Sequence, residues 1–170
     1  MDHWIYIINA WIHIIAAMAW IGGMLFLSII MVPALRKLGS LENSAAMIRE
    51  TGRRFRRFGY LLFIILLITG AGNLHMRGFT FKFMGTSDFW MSPYGQTLAY
   101  KLVLFILMIG LGVAHDFLIG RKALAAMVDR PASGPTLRMR RAASWMGRLN
   151  IIIAILISLL GVMLVRGRPW

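Results

Sequence analysis

Long apolar stretches separated by short polar ones set the pattern of this chain: 4–35, 58–75, 98–120 and 149–165 are dominated by Ile, Leu, Met, Phe, Ala and Trp. Each approaches or exceeds the roughly 20 residues a helix needs to cross a hydrocarbon core of about 30 Å. None alternates as a barrel strand would, and in lipid a helix satisfies its own backbone groups. The pattern therefore predicts an all-α membrane protein whose helices cover about 4–35, 58–76, 96–120 and 148–166. Short connections make neighbouring helices antiparallel, so the expected fold is a four-transmembrane-helix antiparallel bundle forming one domain over 1–170. The connections are two basic loops, 36–57 and 121–147, and an aromatic loop, 77–95.

Composition supports this reading and charge orients it. Hydrophobic residues make up 59% of the 170, well above the roughly 45–50% of a soluble domain. The formal net charge is +13, from 19 Lys and Arg against 6 Asp and Glu. This excess does not indicate nucleic acid, because it is segregated between the apolar runs. Segment 36–58 carries Arg36, Lys37, Arg49, Arg53, Arg54, Arg56 and Arg57; segment 121–148 carries Arg121, Lys122, Arg130, Arg138, Arg140, Arg141 and Arg148. The opposite side holds Arg77, Lys82, Arg166 and Arg168. Fourteen against four places the basic loops in the cytoplasm and both termini outside, on the periplasmic side of a bacterial inner membrane. The first helix lacks a positive n-region and has too long an apolar run for a cleaved signal peptide. Stretch 41–52 reads as a short surface helix inside its loop, and the aromatic loop suits an interfacial segment or a cover over the bundle mouth. With no cysteine, disulfides, iron–sulfur clusters and thiolate metal sites are excluded. There is no Walker A loop, no G-x-S-x-G elbow and no H-E-x-x-H, and the six acids are scattered.

Ionisable residues within a membrane are costly and mark candidate sites. Counted from the basic anchors, His13 lies 20 residues before Pro33 and His75 18 after Arg57. Lys101 lies 20 before Arg121, and Arg166 18 after Arg148. All four fall about 27–30 Å along their helices, in one outer layer. Two imidazoles there can ligate a haem b iron axially, with Lys101 and Arg166 on its propionates. The same His13 and His75, with Met76 and with His3 further out, suit copper instead. Blander readings stand beside these: Lys101 and Arg166 snorkelling to headgroups, and each imidazole hydrogen-bonded to water or a carbonyl. A second polar set, His115, Asp116 and Asn150 with Arg121 and Arg148, lies near the cytoplasmic face. It reads as a cluster tying the third helix to the fourth, or as a second cofactor or proton path. Small residues at Ala19 and Gly23, at Gly110 and Ala114, and at 69–72 allow close helix approach.

Several stretches together resemble the CopD family of membrane proteins. They are His13 with Trp20-Ile21-Gly22-Gly23-Met24 and Pro33-Ala34-Leu35-Arg36; Arg53 to Phe58 leading to Thr69-Gly70 and Asn73-Leu74; Lys101-Leu102; His115-Asp116-Phe117; and Gly147-Arg148-Leu149-Asn150 to Val165-Arg166-Gly167. The resemblance implies copper resistance or copper import. The chain is also distantly similar to the HemJ group, haem-b proteins acting on protoporphyrinogen, in which a His and a Lys matching His13 and Lys101 are functional; the fuller pattern of that group around the first helix is missing here. Three functions are therefore expected in order. The first is a haem-b membrane protein passing electrons to a quinone or a redox partner subunit. Next comes copper binding or transport, and last an accessory structural subunit within a homo- or hetero-oligomer. An electron-transfer or metal-handling role is favoured over that of a stand-alone enzyme.

Overall fold

In a computed structural model, which describes residues 2–38, 41–115 and 134–168, the chain is helical almost throughout. Helix α1, Asp2–Leu25, runs into a π-helical stretch, Phe26–Met31, and then into α2, Val32–Leu38. The widened stretch follows from Pro33, which has no N–H to donate to the Ile29 carbonyl four residues back. The Val32 N–H reaches instead to the Leu27 carbonyl, five residues back. Helix α3 covers Leu41–Met76, α4 Phe81–Met84, α5 Ser87–Met91, α6 Pro93–Ala114 and α7 Gly134–Arg166. Four of these helical runs are long and apolar enough to cross a membrane.

The basic segments differ from expectation. The stretch expected as a loop, 36–57, is helical on both sides of 39–40, and α3 continues without interruption from Leu41 into the second span. Arginine is among the better helix formers, so a run of them ends the apolar span without ending the helix. Glu50 reinforces it locally, bonding Arg53 three residues on and Arg54 four residues on, the latter at 2.9 Å. Likewise α7 begins at Gly134, inside the expected loop 121–147.

The aromatic loop contains α4 and α5. Thr80, Thr86 and Ser92 cap the successive helices, their hydroxyls accepting from the Phe83, Phe89 and Gly95 N–H groups. Phe89 is fully buried among the rings of Phe79, Phe83, Trp90 and Tyr94, and α5 packs on the start of α6.

Two antiparallel hairpins, α1 with α3 and α6 with α7, meet chiefly where α1 touches α7. Their shared core consists of Met24, Phe63, Met108, Ile153 and Ala154, with at least one residue from each long helix. Large apolar side chains such as Ile15, Ile68, Ile106, Leu159 and Val165 face outward, while Ala16, Ala154, Thr69, Thr97 and Asn150 lie inside. This distribution suits lipid: packing and polar contacts join helices there, because the solvent is as apolar as leucine. Trp20 illustrates the fit. Its ring stacks on Phe55 at 5.1 Å and leans on Phe63 at 4.4 Å, and it occupies the space where a Cβ on Gly59 would be. The two phenyl rings prevent it from moving aside. Gly59→Ala is therefore expected to destabilise the fold by about 1–3 kcal/mol, whereas Gly110→Ala, which meets open space, should leave the melting temperature in detergent unchanged or slightly raised.

Candidate functional site at the His13 end of the bundle

Two polar pairs, each spaced i, i+4 on an otherwise apolar helix, face one another across the α1–α3 hairpin. Asn9 and His13 project from α1; Thr69 and Asn73 project from α3. The Asn9 amide donates to the Thr69 carbonyl at 2.8 Å and to the Asn73 side-chain oxygen at 3.0 Å. The His13 Nδ1 lies 2.7 Å from the Thr69 hydroxyl oxygen. That hydroxyl has a single hydrogen, directed to the Ile65 carbonyl at 2.6 Å. The Thr69 oxygen must then accept, and Nδ1 carries the proton. The imidazole is thus held as the Nδ1–H tautomer, with Nε2 as its lone-pair nitrogen. A histidine oriented through one nitrogen in this way is arranged as metal-ligating histidines are.

Lys101 on α6 belongs to the same region. It is half-buried, and its Nζ stands 3.4 Å from where a Cβ on Gly161 of α7 would lie. Its charge acts on the His13 ring. Among the described residues no carboxylate forms a salt bridge with it; the ion pairs there join Glu50 to Arg53 and Arg54. Beyond this layer Arg77 straps the bundle. One guanidinium nitrogen donates to the Leu164 carbonyl at 2.9 Å and another to the Tyr6 hydroxyl at 3.3 Å. Arg168 donates to the Thr97 hydroxyl at 2.7 Å and to Gln96 at 3.1 Å, fastening the end of α7 to the start of α6.

Of the four residues expected to share one layer, the fold brings only His13 and Lys101 together. His75 and Met76 are exposed at the end of α3, and Arg166 is exposed at the end of α7. Helical rotation explains His75: at about 100° per residue it is turned about 200° from Asn73, the residue that faces α1. The geometry therefore does not place His13 and His75 on opposite faces of one porphyrin. Among the described residues no three His, Cys, Asp or Glu side chains gather as a metal site. In the expected inner cluster, Asn150 is buried but bonds the Met24 sulfur of α1 at 3.5 Å, tying α7 to α1. Its side-chain oxygen and the Trp20 indole nitrogen are buried without partners among the described residues. His115 lies at the end of α6, and Asp116 falls outside the described residues. Asn9, absent from the sequence-derived candidates, was detectable as a polar residue four positions before His13.

The fold and its polar layer define a four-helix membrane protein with one oriented imidazole among apolar helices. The family model described as Copper resistance protein D matches residues 49–164, more than half of the chain. This chain belongs to the CopD family. Thr69, Lys101 and Asn150 fall inside the matched stretch, whereas Asn9 and His13 precede it. An uncharacterized protein of Aquifex aeolicus (strain VF5) is 30% identical over 152 residues, covering 89% of each chain. No solved structure matches the chain.

The hydrogen-bond chain predicts a spectroscopic signature. In ¹⁵N-labelled protein at neutral pH, His13 should show the chemical shifts of the Nδ1–H tautomer; shifts of the Nε2–H form would contradict the assignment. Thr69→Val leaves the ring N–H without its acceptor and should cost about 1–3 kcal/mol of stability, and Thr69→Ser should restore most of it.

Proposed function

We propose that this CopD-family chain handles copper in the membrane, with the Nε2 of His13 as the nitrogen that meets the ion. The observation that carries the reading is the ring's orientation through Thr69, which leaves one imidazole lone pair open in a chain whose family is described by copper resistance. Imidazole is a suitable ligand for copper. Lys101 opposes a bare divalent cation at this ring by Coulomb repulsion, which favours the monovalent ion. The haem reading lacks support from a second axial imidazole, because His75 projects from another face of α3. The basic asymmetry of the two membrane ends supports an inner-membrane orientation with the His13 end outward.

Copper(I) titration of the purified protein, read as bound metal per chain against a competing chelator, tests the proposal. His13→Ala should abolish the tightest site and His75→Ala should retain it. Thr69→Val should weaken it about 10–100-fold through loss of ring orientation, and Lys101→Met should leave it equal or tighter. Unchanged binding in His13→Ala would overturn the proposal.

A further inference from the structure

A groove of about 300 Å³ runs between the first helical run and α3 near the arginine-rich end, well away from His13. One wall is Gly23, Phe26 and Leu27, spaced i, i+3, i+4 where α1 widens into its π-helical stretch. The other is Thr51, Arg54, Phe55 and Phe58, spaced i, i+3, i+4, i+7 on one face of α3. The antiparallel register, in which Trp20 meets Gly59 and Gly23 meets Phe55, gives the groove a direction. Its Phe58 end lies toward the middle of the bundle, and its polar end, Thr51 and Arg54, lies about 10 Å further along α3. Phe26 and Phe58 are half-exposed along it. The groove is therefore apolar along its length and cationic at one end, at the place where the apolar span gives way to arginines.

The cationic end is not neutralised. Glu50 is shared between Arg53 and Arg54, and it takes only the Nε of Arg54. The terminal guanidinium nitrogens of Arg54 make no hydrogen bond among the described residues. A guanidinium with its fork open matches the oxygens of a phosphate. An amphiphile with an anionic head and a long apolar tail is complementary to both parts of the groove, and the bilayer supplies such molecules at this depth.

We propose that this groove is a binding site for one anionic phospholipid, with an acyl chain laid between Phe26, Leu27, Phe55 and Phe58 and the headgroup phosphate held by Arg54 and the Thr51 hydroxyl. The site is separate from the copper reading and stands or falls without it. Native mass spectrometry of the full chain, released from vesicles of equal parts phosphatidylglycerol and phosphatidylcholine, tests it. The wild type should retain one phosphatidylglycerol several-fold over phosphatidylcholine. Arg54→Gln, an exposed substitution, should reduce that preference several-fold, and Leu27→Trp, which fills the groove, should reduce retention of either lipid. Arg57→Gln, outside the groove, should leave both as in the wild type, and inorganic phosphate alone should not displace the lipid. Equal retention of the two lipids, equal losses in Arg54→Gln and Arg57→Gln, or displacement by inorganic phosphate would each overturn the proposal. Thermal melting of every variant without added lipid separates a lost site from a lost fold.

Discussion

A polar side chain inside hydrocarbon has no water to turn to, so it binds whatever partner the neighbouring helix offers. In this protein that constraint acts most strongly on Asn9 and His13. Their partners, Thr69 and Asn73, have the same spacing on the antiparallel helix, so the two pairs engage in one register. A shift of one turn along either helix would leave several buried groups without partners. The contacts toward the arginine-rich end follow from that register. Trp20 arrives opposite Gly59, and Gly23 opposite Phe55, close enough that no side chain could stand at either glycine.

The other hairpin is held by different means. Between α6 and α7, Met108 packs with Ile153 and Ala154, and at the end where α6 starts and α7 stops Arg168 bonds Thr97 and Gln96 while Arg77 bonds the Leu164 carbonyl. Arg77, just beyond α3, is the more widely connected strap, since it bonds Tyr6 of α1 and the α7 backbone at once. A guanidinium with five donors in a fixed plane can join three elements where a lysine would join fewer. The half-buried Lys101 contrasts with this. It faces Gly161 and His13 with no salt-bridge partner among the described residues, and it is the cost the fold carries at its candidate site.

The spans were legible because the membrane reads composition over about 20 residues, and composition is local. The boundaries of the basic segments were not, because helix formation and membrane depth are separate properties. Arg53 to Arg57 end the apolar run while the backbone remains helical, so charge marked the edge of the apolar span and not the end of α3. The candidate site divides along the same line. A count along each helix measures depth, and by depth alone His13, His75, Lys101 and Arg166 fall at one level. It contains no angle. His75 shares that depth yet lies on another face of α3, and Arg166 ends exposed.

The chain by itself thus determined four apolar helices, their order and alternating direction, and the family they resemble. Only the tertiary structure decided which polar residues meet, which tautomer His13 adopts, and where the π-helical stretch opens a groove beside Arg54. The physical reason is that hydropathy and depth are properties of one helix and its solvent. Rotation about the helix axis is fixed only by what the neighbouring helices present, and that depends on residues some sixty positions away along the chain.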